Sequence, residues 1–286
     1  MLDLILDPFS QGIGQRALIE LVMLGAVCGP LGVWIVLYRQ SYAAESLAHS
    51  MLPGLVLAAL AGIPLGLGAA AGLAVAALCI AACARQSAVT ADVAVAVTIT
   101  ALFGAGTLMA LSPDAPLRLG ELLFGDPLSV SGTDLAASGA LAAALLAALL
   151  VGHRALAVVG FDPQSALNLG YRPGRVGAGL LVLLALTTLI AVQALGNLLV
   201  VAIVIAPAAA ALRISSRLPR ALAGAALIAI GSGVSGLYVS YYADLAAGAS
   251  IALCACAAFL VTLPLGRPAG EPAAAGSPIE ALGSPG

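Results

Sequence analysis

The sequence predicts an all-α fold: a polytopic transmembrane bundle of eight or nine helices, resting on three observations. Of 286 residues, 62% are hydrophobic and only 8% charged. Mean hydropathy is +1.12. The few charges are spread thinly through long apolar runs. A soluble domain carries about a quarter charged residues, so this chain cannot cover a water-facing particle. In lipid every backbone N–H and C=O must be paired within the protein, and helices of about 20 apolar residues do this.

A window of about 19 residues places spans near 16–38, 42–62, 64–84, 91–111, 133–153, 174–195, 197–212, 220–240 and 246–265. The second and seventh are short or proline-interrupted. Asp3 and Asp7 precede the first span and no basic residue comes before Arg16, so it does not read as a cleaved signal peptide. Residues 1–15 are then an extracytoplasmic segment and 16–265 the transmembrane domain. Residues 266–286, rich in Pro, Gly, Ala and Ser, read as a disordered cytoplasmic tail.

Short cytoplasmic loops are enriched in arginine and lysine. With the N-terminus outside, Arg39, Arg85, Arg154, Arg172, Arg175, Arg213, Arg217, Arg220 and Arg267 all lie inside, leaving Arg16 and Arg118 outside. The opposite orientation inverts that ratio.

Composition also excludes functions. The chain has no lysine, so it has no Walker-type phosphate loop and does not hydrolyse ATP by that route. A net charge of −2 with no basic block argues against nucleic acid. Cys28, Cys79, Cys83, Cys254 and Cys256 lie in apolar stretches and read as small packing residues rather than a disulfide framework.

The chemistry gathers in the second span, RQSYAAESLAHSMLPG. Glu45 and His49 are four residues apart, on one face of a helix. Counted from Arg39 at 1.5 Å per residue, they lie about 9 Å and about 15 Å into a core about 30 Å thick. Ionisable groups at that depth usually face a bundle interior or a water path. The alternative is a structural hydrogen-bonded pair. Pro53 lacks the N–H that would bond the His49 carbonyl, and with Gly54 it predicts a broken helix, a device transporters use near substrate. Imidazole, carboxylate and carbonyl together suit zinc, manganese or ferrous iron rather than cuprous copper.

The stretch GPLGVWIVLYRQSYAAESLAHSMLPGLVLA (29–58) resembles the zinc and manganese ABC-transporter permeases, whose second helix carries an acid, a short spacer and LAH. The resemblance continues through LFGDPLSVSGTDL (123–135), FDPQSALNLGYR (161–172), LGNLLVVAIVIAPAAAALR (195–213) and GLYVSYYADLAAGASIALCACAAFL (236–260). The family usually has Asp where this chain has Glu45.

The resemblance implies a type II importer permease in the cell (inner) membrane, with Glu45 and His49 as metal ligands. It further implies a permease homodimer, a separate ABC ATPase and an extracytoplasmic metal-binding protein. No cofactor is implied, since Zn2+ or Mn2+ is cargo. Segment 161–172 would be the coupling helix that docks on the ATPase. Its own residues agree, with Asp162 as cap, Pro163 at the first helical position and Gly170 as terminator.

Asp92, near the cytoplasmic start of the fourth span, reads as a helix N-terminal acid ahead of a metal-path residue. Pro207 deprives the Ile203 carbonyl of its partner, so packing and gating are both open. Beyond Glu45, His49 and Asp92 the sequence shows no chain of intramembrane acids, which disfavours the rival class, a gradient-driven secondary transporter. A siderophore or cofactor ABC permease is a further rival, and would need a larger cavity without metal ligands.

Overall fold

A computed structural model describes residues 12–84, 91–112 and 131–264. Residues 1–11 of the expected extracytoplasmic segment (1–15) and the expected tail 266–286 lie outside the described residues, as do the loops around Arg85 and Arg118. The described residues form ten helices: α1 (Gly12–Leu37), α2 (Ser41–Ser50), α3 (Leu52–Ala61), α4 (Leu65–Ala84), α5 (Ala91–Ala110), α6 (Gly132–Phe161), α7 (Pro163–Asn168), α8 (Pro173–Ile214), α9 (Leu218–Ala243) and α10 (Ala247–Thr262). Five stretches are long and apolar enough to cross a membrane, and four shorter apolar segments accompany them.

α1 is the central post. Leu24, Val27, Cys28, Leu31, Trp34 and Ile35 are buried along it, so it is apolar on every side, as an interior membrane helix must be. Its close neighbours are reached through glycines. A Cβ on Gly29 would lie 2.5 Å from the backbone of Ala225, and one on Gly25 2.8 Å from Ile230. α9 therefore runs antiparallel to α1 at backbone contact, the small-residue packing that serves where lipid removes any hydrophobic drive between helices. α6 runs parallel to α1, fixed by Met23 beside Gly139, by the Trp34 ring 5.5 Å from His153, and by the Tyr38 hydroxyl donating to the Leu156 carbonyl at 2.9 Å.

The turns have local causes. Arg39 takes φ 55, Arg39 N–H donates to the Val36 carbonyl and Gln40 N–H to that of Ile35, which closes α1 with a left-handed cap. Ser131 and Asp134 form a reciprocal capping box at the start of α6.

Two elements differ from the spans the sequence predicts. The 42–62 span is two helices that meet at Met51. The expected 174–195 and 197–212 spans fall in one run of helical bonding, α8. That run is not a straight rod. Gly177 sits by the Gln40 side chain and Gly32 abuts the Val204 carbonyl. Gln40 follows closely on the end of α1 and Gly32 lies five residues before that end, so the two contacts are at one end of α1, whereas 27 residues of straight helix would separate Gly177 from Val204 by about 40 Å. The halves Pro173–Val192 and Val200–Ile214 therefore both lie against α1 as separate crossings.

A candidate metal site on a broken helix

Glu45 and His49 share one face of α2, with His49 Nε2 3.9 Å from Glu45 Oε1. Their environments differ. The His49 side chain is 17% exposed and Glu45 55%. The imidazole meets the Phe103 ring of α5 edge-on, centroids 5.1 Å apart, and its buried Nδ1 has no hydrogen-bond partner. A ring held by an aromatic neighbour, with an unengaged nitrogen, has the donor chemistry to bind a cation or a water.

Pro53 does break the helix, but the His49 carbonyl is not left free: a backbone N–H at the α2–α3 junction donates to it as the last turn tightens. The third ligand expected there is thus already engaged. The junction is gripped from both sides. A Cβ on Gly106 of α5 would lie 2.8 Å from Pro53 N, and one on Gly72 of α4 3.0 Å from the Met51 carbonyl oxygen. Ser46 and Ser50 turn away from the pair, each hydroxyl donating to the carbonyl four residues back at 2.6 Å.

Among the described residues no group of three or more His, Cys, Asp or Glu side chains converges on one point, so no further such side chain joins the Glu45–His49 pair. Asp92 lies in the first turn of α5, and its side chain is outside the described residues. Pro207 is buried beside Ala208 and Ala211, which pack with Val33 of α1 and Ala225 of α9. That surrounding is a packed helix junction and does not include the Glu45–His49 pair. A cavity of about 520 Å³ borders α2 through Ala43, Ser46 and Leu47 but includes neither Glu45 nor His49.

Segment 161–172 folds as its residues predict. Asp162 Oδ1 accepts from Gln164 and Ser165 N–H at 3.1 and 3.0 Å, Pro163 opens α7, and Gly170 ends it at φ 83. Ser165, through its hydroxyl and then its backbone N–H, holds the Asp162 carboxyl below the usual carboxylate range. Leu167 and Leu169 are 60% and 66% exposed, an apolar edge on an otherwise polar turn. Beneath α7 a cavity of about 510 Å³ is lined by Tyr38, Arg39, Gln40, Pro163, Pro173 and Gly177 among others.

Sequence reading missed Glu20. It lies inside α1 at 0% exposure, with neither carboxyl oxygen hydrogen-bonded. The available signal was an acid within the apolar run RALIELVML, at a depth where ionisable groups are costly.

Residues 11–265 match the ABC 3 transport family. The manganese transport system membrane protein MntC of Halalkalibacterium halodurans is 33% identical over 246 residues, 86% of this chain and 84% of the relative. The chelated iron transport system membrane protein YfeD of Yersinia pestis is 31% identical over 263 residues, 92% and 89% of the two chains. A solved chain of PsaBC from Streptococcus pneumoniae, in complex with Fab, superposes with TM-score 0.83 at 28% identity, covering 92% of this chain and 95% of that one. The chain belongs to the ABC 3 transport family, as a multi-pass membrane permease of the ABC type.

Proposed function

We propose that this chain is the permease subunit of an ATP-driven importer for a divalent transition metal, zinc or manganese, in the cell (inner) membrane. Glu45 and His49 contact the ion in transit. The observation that carries this reading is the pair itself: two metal-type ligands 3.9 Å apart on a broken helix, with a buried imidazole nitrogen that nothing satisfies. The names of its relatives, which concern manganese and chelated iron, support a metal cargo. Ferrous iron shares the same donor preferences.

Two ligands are too few for a closed site, and Glu45 is over half exposed at membrane depth. A second copy of the chain supplies both remedies, since a symmetric dimer sets two Glu45–His49 pairs across one axis. ATP hydrolysis belongs to a separate ABC ATPase that docks on α7, and the ion arrives from an extracytoplasmic metal-binding protein. Membership of an ABC family sets aside a gradient-driven transporter working alone.

Metal-resolved uptake in cells lacking the gene and regaining it tests the assignment. Wild type is expected to restore zinc or manganese accumulation, and His49→Ala to abolish it with expression and assembly kept. Normal uptake by the Glu45→Gln, His49→Ala double variant at near-native expression would leave the pair structural.

A further inference from the structure

Glu20 is the most deeply buried carboxylate among the described residues, and the pair above makes no use of it. It lies eight residues into α1, roughly 12 Å from the helix start. The parallel packing of α1 on α6, pinned at Met23–Gly139 and Trp34–His153, sets it opposite the first turns of α6. There Ser138 is buried at 4%, and Asp134 lies one turn nearer the helix start, exposed. By that register Ser138 and Asp134 stand across the interface from Glu20, neither Glu20 carboxyl oxygen has a hydrogen-bond partner, and the Asp134 carboxylate accepts from the Ser131 N–H and hydroxyl in its capping box. Arg16, one turn away on α1, directs its Nε to the Gly12 carbonyl at 3.2 Å and forms no ion pair with Glu20.

A buried carboxylate without a partner is costly, and a second carboxylate nearby raises the cost unless a cation lies between them. We propose that Glu20, Ser138 and Asp134 form a second divalent-cation site, oxygen-lined, between α1 and α6. Two carboxylates match a double positive charge. An all-oxygen donor set suits a hard ion such as Mn2+ and offers nothing to a soft one. The capping box places Asp134 at an exposed helix start, where an ion can enter from water. Ser138 and Glu20 then receive it one turn deeper.

The choice of a divalent ion rests on the permease reading above. The test is a count of Mn2+ bound to the purified full-length chain in nanodiscs, with Mn2+ alone as probe and electron paramagnetic resonance as readout. Wild type is expected to bind at both places, and the Glu45→Gln, His49→Ala chain to keep the Glu20 ion. Adding Glu20→Gln should remove that ion, Glu20→Asp should retain it, and Asp134→Asn should weaken it roughly tenfold. Glu20→Gln keeps size and neutral hydrogen bonding, so a thermal midpoint near wild type separates lost ligation from lost fold. If the Glu45→Gln, His49→Ala chain binds no Mn2+ while wild type does, the second site is overturned and the permease reading stands. Unchanged binding with Glu20→Gln overturns it equally, leaving Glu20 neutralised by a proton or by Arg16.

Discussion

At the level of single residues, the candidate site depends on one carboxylate, one imidazole and the glycines that hold their helix. Glu45→Asp shortens the side chain by one methylene and restores the residue usual in the permeases this chain resembles. It is expected to keep transport and to shift the zinc-to-manganese uptake ratio, measured by competition between the two ions. Because imidazole must be neutral to ligate, uptake should also fall as pH drops through the histidine titration range. A flat profile down to the carboxylate range would mean that His49 is not a ligand. Gly106→Leu introduces atoms where a Cβ alone meets Pro53 N at 2.8 Å, so overpacking should lower stability by roughly 1–3 kcal/mol in thermal unfolding. The pair was legible because four-residue spacing, a following proline and depth all show in sequence. The surroundings were not. That the His49 carbonyl is re-engaged, that Phe103 meets the ring, and that Glu20 is buried all depend on which helices touch, and spacing along one helix carries no such information.

Among the helices, α7 shows how much local chemistry can settle. Asp162, Pro163 and Gly170 mark its cap, first residue and end, and the structure has each in that role because cap and left-handed turn are short-range events. Gly170→Val forces a branched side chain into φ 83, a strain of roughly 1–2 kcal/mol that falls on the end of a six-residue helix. ATPase activity is expected to become uncoupled from uptake while the membrane helices stay folded, read as hydrolysis without transport in proteoliposomes. The cap also has a pH signature. Asp162's carboxyl lies below its ordinary range when folded, so its stabilisation of α7 is present above that range and is lost as pH falls through the lowered value. Asp162→Asn, which caps without titrating, should remove that acid sensitivity from coupling. The α8 crossings were harder to read. Apolar composition is continuous from Pro173 to Ile214 and the helical bonding with it, so only packing against α1 separates the halves.

In the whole molecule, the contacts sort the helix ends into two groups. Tyr38 meets Gly160, Gln40 meets Gly177, Val36, Leu37, Leu212, Leu218 and Leu222 all pack against one cluster of Val33, Ala208, Ala211 and Ala225, and Arg213 donates to the Leu263 carbonyl at 3.1 Å. The ends of α1, α6 and α10, the whole of α7, and the α8–α9 turn therefore lie at one end of the bundle, with Arg39, Arg172, Arg175, Arg213, Arg217 and Arg220. Asp244 lies at the far end of α9, where it takes φ 54 in the turn into α10. Sequence counting reached the same grouping because each crossing reverses the chain, and an odd number of apolar segments among the described residues sets Gly12 and Leu263 at opposite ends. Which end faces the cytoplasm follows from arginine, which resists transfer across the membrane in short loops. The arginine-rich end, and α7 with it, is expected inside. Single cysteines placed at Gln164 and at Asp244, both exposed, in a chain freed of its five native cysteines test this with an impermeant maleimide. Position 244 should label in intact cells and position 164 only after permeabilisation. Labelling of position 164 in intact cells would invert the bundle, and would remove both α7 as an ATPase dock and the inward direction of the metal.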